Sequence, residues 1–211
     1  MKIIPTVFAT SKKEFISKFN TLKDISRDLQ IDLMDGKFVK NKSINVSSIP
    51  NLKKYKNNFE AHLMVFHAEK YLKSLKEKGF KKIIFHYEST ENKDKIIELI
   101  KKIQSLSMDP CLAINPETSI KDIGQFLNKI NAILVMGVHP GKEHQSIILN
   151  TYKKIREIRK LNKKIRIQID GGVNEKTAGK LKKSGAVILN SGSFISDSAS
   201  PKKSLEKLRK I

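Results

Sequence analysis

Residues 165–190 read "IRIQIDGGVNEKTAGKLKKSGAVILN". The stretch opens on a β-like run, "IRIQID" (165–170), and closes on another, "AVILN" (186–190). Between them, 174–184 carries apolar residues at helical spacing. A strand, a helix and a second strand form a βαβ unit, which implies parallel pairing.

The same alternation runs outward to both ends of the chain. Six further β-like runs are "KIIPTV" (2–7), "LQIDLM" (29–34), "FEAHLM" (59–64), "KIIFHY" (82–87), "PCLAIN" (110–115) and "AILVMGV" (132–138). Helical spacing predicts helices over 11–22, 67–78, 93–106, 118–129, 146–160 and 200–210, with a weaker segment at 47–56. In 93–106, Ile96, Ile97, Ile100 and Ile103 share one face. Eight such units in 211 residues fit an α/β fold of one kind, a single parallel (β/α)₈ TIM barrel, better than an open doubly wound sheet. No linker, low-complexity tract or second domain interrupts the pattern, so residues 1–211 read as one barrel domain.

Composition narrows the function classes. No run of about 18 apolar residues occurs, so no membrane helix is expected. The opening "MKIIPTVFATSKKEF" has too short an apolar part for a secretory signal. The single Cys111 excludes an internal disulfide and suits a cytoplasmic protein; within "PCLAI" it reads as a small core residue. The formal net charge of +21 invites a nucleic-acid reading, but only five of the 42 basic residues are arginine. Lysine is poorly suited to bidentate recognition, and these lysines are spread over nearly every helix. A solvated surface with weak, salt-sensitive attraction to polyanions is expected, without a specific nucleic-acid partner.

A barrel carries its active site where the strands end, on the loops that lead into the helices. On strand two, Gln30, Asp32 and Met34 point one way and Leu29, Ile31 and Leu33 the other. A buried carboxylate is costly unless paired, hydrogen-bonded or bound to a metal. Strand three supplies His62, strand four offers His86, and strand seven ends in Asp170. Singly, such an aspartate is commonly a cap or turn residue, and such a histidine a core residue. Together, Asp32, His62 and Asp170 meet at one barrel mouth.

Two chemistries suit two opposed carboxylates. One is glycoside hydrolysis. The other is removal of a proton beside a carbonyl and its return to the opposite face, which inverts a stereocentre. That second route builds negative charge on oxygen, which a divalent cation stabilises, and an Asp/His/Asp set can hold one. The loops after strands seven and eight favour the second route. "DGGVN" (170–174) and "NSGSFI" (190–195) place glycines where barrels of this type bind phosphate.

In order along the chain, "PTVFATS", "IDLMDGKFVKN", "HLMV", "FHYESTEN", "LAINPET", "LVMGVHPG", "IDGGV" and "SGSFI" resemble the ribulose-phosphate 3-epimerase family. The resemblance implies a (β/α)₈ enzyme that interconverts D-ribulose 5-phosphate and D-xylulose 5-phosphate by inverting C3. It implies that Asp32 and Asp170 are the acid/base pair and also bind one divalent metal ion with His62. Met34, Met64 and Met136 match the methionines that cap the planar enediolate. Thr6 stands where the family usually has a substrate-contacting serine, and Gly171, Gly172, Gly192 and Ser193 match the phosphate cradle. Homo-oligomers are common in the family.

Two departures stand out. The family has a second metal-binding histidine two residues before its first catalytic aspartate, where this chain has Gln30. A glutamine oxygen can ligate hard divalent cations but is a poorer ligand for zinc or iron than imidazole, so the open expectations are weaker binding, a harder ion such as Mg²⁺ or Mn²⁺, three protein ligands plus water, or no metal. After strand six the family reads "PGFGGQ" and this chain reads "PGKEHQ" (140–145), keeping Gly141 and Gln145. Glu143 opposes a nearby phosphate unless Lys142 compensates or Glu143 points away. His139 and His144 read as surface residues. Other readings are an epimerase of another ketose or ketose phosphate, or a non-catalytic sugar-phosphate binder. Two retained aspartates argue against the latter.

Overall fold

In the computed structural model, which describes residues 1–211, eight parallel strands close into a barrel in chain order. They are β1 (Lys2–Val7), β2 (Asp28–Met34), β3 (Asn58–Met64), β4 (Lys82–His86), β5 (Asp109–Ile114), β6 (Ala132–Met136), β7 (Arg166–Asp170) and β8 (Ile188–Ser191). Around them lie α1 (Lys12–Ile25), α2 (Leu72–Lys78), α3 (Lys93–Ser105), α4 (Ile120–Ile123), α5 (Asn150–Leu161), α6 (Glu175–Ser184), α7 (Ser193–Ser196) and α8 (Pro201–Arg209). The barrel closes where Lys2–Pro5 pair with Ile188–Ser191.

Strand alternation sorts side chains into two layers. Leu29, Ile31 and Leu33 face outward into a core shared with Phe15, Phe19 and Leu22 of α1. Those three α1 residues recur at helical spacing, and Ser11 caps the helix by accepting from the Glu14 N–H. The inward faces divide by chemistry. Ile84, Cys111, Ala113, Ala132, Leu134 and Met136 pack as a separate apolar cluster on the β4–β6 side. On the β2, β3, β7 and β8 side, Gln30, Asp32, Glu60, His62, Gln168, Asp170 and Asn190 are all buried. The barrel interior is therefore greasy on one side and polar on the other.

The βαβ unit over 165–190 forms as its sequence implies. Asn174 accepts from the Lys176 and Thr177 N–H groups while Thr177 Oγ1 accepts from the Asn174 N–H, a reciprocal cap on α6. Gly185 ends the helix at φ 114°, a left-handed conformation that costs glycine nothing.

Four helix expectations are cut back, and one of them, 146–160, becomes helical only at Asn150. Segment 118–129 forms only α4 and then a 3₁₀ turn over Gly124–Phe126, because a glycine inside the run weakens the helix. Segment 67–78 begins as a 3₁₀ turn after His67, which sits at φ 56°, and becomes helical at Leu72. Segment 47–56 forms two 3₁₀ turns, Val46–Ser48 and Leu52–Lys54, on either side of Pro50, whose missing N–H and fixed φ break a helix. In α3, Leu99 joins the buried face while Ile97 lies partly exposed. The short α7 after Gly192 has no counterpart in the expected helices.

Candidate active site

Register brings the polar residues to one height. Asp32 pairs with His62 across β2 and β3, and Asp170 lies between Met136 and Asn190 across β6, β7 and β8. His62 Nδ1 is 3.1 Å from Asp32 Oδ1 and 3.3 Å from Asp170 Oδ2. On its other side, His62 Nε2 is 2.9 Å from His86 Nε2. His86 Nδ1 is in turn 3.3 Å from Glu88 Oε2. The Asn115 N–H and the Thr118 hydroxyl donate to Glu88 and hold it in place.

Hydrogen-bond polarity follows from the acceptor-only end of this chain. An ionised Glu88 accepts, so His86 Nδ1 donates and its Nε2 accepts, and His62 Nε2 donates. His62 Nδ1 is left facing two carboxylates, where positive charge is favoured. Burial works against the imidazolium, but the bonds to Asp170 and Asp32 outweigh it and push His62 up to about 10. Burial also pushes Asp32 up to about 6, against the opposing pull of His62. His86 is held below its usual value, chiefly by burial and also by the neighbouring His62 charge.

A second chain of bonds fixes Gln30. Lys82, a donor only, gives one bond to Gln168 Oε1 and lies 3.2 Å from Glu60 Oε2. The Gln168 amide nitrogen therefore points away, donating to Asn190 Oδ1 at 2.7 Å and to Glu60. Asn190 Nδ2 then donates to Glu60 Oε1 at 2.8 Å and to Gln30 Oε1 at 2.7 Å. Gln30 is left presenting its N–H₂ to Asp170 Oδ2 at 2.5 Å and to Asp32 Oδ1 at 3.0 Å. A metal ligand would need the amide oxygen, and that oxygen is engaged by Asn190. The buried group able to hold a cation is Asp32, His62 and Asp170, whose ligand atoms lie within 4.8 Å of one another. Two carboxylates and an imidazole suit a divalent ion, and the His62–His86 bond orients the ligand ring as such sites require.

Sequence reasoning passed over Glu60, Lys82, Gln168 and Asn190. The signal was available: Gln30, Glu60 and Gln168 each precede an inward-facing Asp or His by two residues. Period-two alternation puts each on the interior one layer deeper.

Above this floor lies a cavity of about 400 Å³ lined by Thr6, Met64, Met136, Gly141, Gly171, Gly172, Gly192 and Ser193 together with Asp32, His62 and Asp170. Met34 instead packs on Val39 and Met64 and borders an adjacent recess with Asp35 and Phe66. The glycines after β7 are required by conformation and by space. Gly171 has φ 93°, and a Cβ there would come within 2.3 Å of Val138 Cγ2. Gly172 has φ 69° and would meet Ile147 backbone at 2.8 Å.

The loop after β6 is held by Gln145, whose amide donates to the His139 carbonyl at 2.7 Å and the Lys142 carbonyl at 2.9 Å. His139 and His144 are exposed, as their sequence context implies. Glu143 turns into the mouth, and its counter-charge is Lys18 of α1, at 2.9 Å, rather than Lys142.

Comparisons with known proteins agree with this architecture. The family model described as "Ribulose-phosphate 3 epimerase family" matches residues 2–196. The chain is 29% identical over 213 residues to ribulose-phosphate 3-epimerase of Schizosaccharomyces pombe, covering 99% of this chain and 92% of that protein. It is 30% identical to ribulose-phosphate 3-epimerase of Escherichia coli (strain K12), covering 86% and 82%. Among solved structures, 3-keto-L-gulonate-6-phosphate decarboxylase from Vibrio cholerae superposes with a TM-score of 0.78 at 10% identity, covering 99% of this chain and 95% of that one, a likeness of fold.

Proposed function

The chain belongs to the ribulose-phosphate 3-epimerase family, and from that premise we propose that it inverts C3 of D-ribulose 5-phosphate and D-xylulose 5-phosphate by two-base proton transfer. The observation that carries this reading is the convergence of Asp32, His62 and Asp170 at the C-terminal end of the barrel. One aspartate removes the C3 proton, and the other, protonated, delivers its proton to the opposite face. The two exchange roles in the reverse reaction. Burial raises Asp32 toward neutral pH, which suits a carboxyl that must be found in both states.

The Gln30 N–H₂ spans the two carboxylates and holds their inner oxygens, leaving the others free to face substrate. Met64 and Met136 offer polarisable apolar walls for a flat intermediate. Gly171, Gly172, Gly192 and Ser193 would bring backbone N–H groups to the phosphate end. A divalent cation held by Asp32, His62 Nδ1 and Asp170 would supply Lewis-acid stabilisation of the negative charge that develops on the substrate oxygens.

The test is an epimerase assay with D-ribulose 5-phosphate, run with and without added Mn²⁺, Zn²⁺, Fe²⁺ or Mg²⁺ and paired with C3 proton exchange in D₂O. Exchange with at least one metal is expected; none with any metal would overturn the assignment. A second reading, epimerisation of another ketose or ketose phosphate, is favoured by Glu143 turning into the mouth, and exchange confined to such a sugar would select it. We also place the enzyme in the cytoplasm, as the name of the Oryza sativa relative states of that protein, and read it as a homo-oligomer, which its mass in solution tests.

A further inference from the structure

The loop after β6 contains a charge that a phosphate site does not need. The Glu143 side chain is largely buried, with 14% of it exposed. One carboxylate oxygen, Oε2, accepts from Lys18 Nζ at 2.9 Å. The other, Oε1, is buried without a hydrogen-bond partner. It lies so close to Gly192 that a Cβ on that glycine would come within 2.7 Å of it. A carboxylate oxygen therefore rests against the glycine that opens the β8 half of the cradle.

Lys18 is the cation that holds it there. Its side chain, 12% exposed, reaches Glu14 Oε1 at 3.1 Å and Asp197 Oδ1 at 3.3 Å as well as Glu143. One ammonium thus serves three carboxylates. His144, another basic group nearby, is exposed and lies 3.2 Å from Asp197. Burial, partly offset by Lys18, raises the Glu143 carboxyl above its usual range. A buried charged oxygen without a donor is an expensive arrangement unless a different occupant relieves it.

A phosphate entering beside Gly192 would meet the Glu143 carboxylate at contact distance, where like charges repel strongly in a partly dry site. The two anions cannot share the place, and Lys18 is the cation in direct contact with Glu143 there. We propose that Glu143 is a tethered anion occupying the place of the substrate's phosphate, and that Lys18 is the cation for which the two compete. The pair then sets how strongly this site discriminates between a phosphorylated and an uncharged ketose. Phosphate binding turns Glu143 outward and hands Lys18 to the substrate. The inference rests on the cradle assigned to Gly171, Gly172, Gly192 and Ser193 in the proposed function.

The experiment is calorimetric titration of the full chain with inorganic phosphate, comparing the parent with Glu143→Gln, Glu143→Ala and Lys18→Gln, each first checked for a cooperative melt. Removing the competing charge should tighten phosphate by roughly tenfold in both Glu143 variants, and Lys18→Gln should weaken it by a similar factor. For D-ribulose 5-phosphate the same Glu143 changes should lower KM. Phosphate binding by the parent that both Glu143 variants leave unchanged or weaken would overturn the inference alone. No phosphate binding by any of the four proteins would overturn it together with the cradle. The metal-dependent C3 exchange assay reports on the epimerase reading separately from either result.

Discussion

Asn190 Nδ2 donates to Gln30 Oε1 at 2.7 Å, and this bond determines which end of the Gln30 amide meets the two aspartates. The orientation is inherited. Lys82 has no acceptor, so it orders Gln168; Gln168 orders Asn190, and Asn190 orders Gln30. A glutamine that could have offered oxygen to a cation instead offers N–H to Asp32 and Asp170.

Replacing that donor by an imidazole should change metal binding. In Gln30→His, a ring nitrogen at this position becomes available as a fourth protein ligand. Zn²⁺ affinity, measured by competition with a chelator, is expected to rise by about tenfold or more. An unchanged affinity would show that position 30 does not reach the cation.

The ordering cation at the base of the network is itself a stability element. Lys82 and Glu60 are both nearly buried, and the ammonium lies 3.2 Å from Glu60 Oε2. Lys82→Met leaves Glu60 charged and unpaired, at a cost of about 3–5 kcal/mol in urea unfolding. The double variant Lys82→Met/Glu60→Leu should recover part of that loss. If the single variant loses less than about 1 kcal/mol, the pair is of the weak kind found at exposed surfaces.

In the proposed two-base mechanism, each face of C3 needs its own proton carrier. Asp32→Asn and Asp170→Asn should each lower kcat by about 10²–10⁴ while keeping the fold. Single-turnover exchange in D₂O is the sharper measurement, because it follows each proton separately. Appreciable turnover in either variant would refute the two-base assignment.

Cys111 lies fully buried between Ile84 and Ala132 on the apolar side of the barrel, and burial pushes its thiol up to about 12. It should resist iodoacetamide at pH 8 in the folded protein and react readily in denaturant. Rapid modification of the native chain would contradict this packing.

Gly171 should tolerate no side chain. In Gly171→Ala the Cβ would collide with Val138 in a left-handed backbone conformation. A loss of about 1–3 kcal/mol in unfolding free energy is expected, together with a raised KM for the phosphorylated sugar. Wild-type melting and KM would show that the loop can relax around the methyl group.

Much of this arrangement was legible in the amino-acid order. The alternation of β-like runs with helical segments leaves few topologies, and period-two spacing puts Asp32, His62 and Asp170 on inward faces near strand ends. The shortened helices were harder to read, since Gly124 and Pro50 act against otherwise good apolar spacing. The deeper layer of Gln30, Glu60 and Gln168, unlike Asn190, carried the same spacing signal. Its meaning depended on Lys82, which arrives from a different strand.

The sequence by itself determined the parallel barrel and the three residues at its mouth, because strand and helix periods are local properties of the chain. It also marked Gln30 and Glu143 as residues that the family resemblance does not account for. Only the tertiary structure decided what those two residues do. The direction of the Gln30 amide depends on Asn190, 160 residues away, and the charge facing Glu143 comes from Lys18, 125 residues away. Hydrogen-bond polarity and charge pairing belong to groups that meet in space, so neither could be read until the barrel had closed.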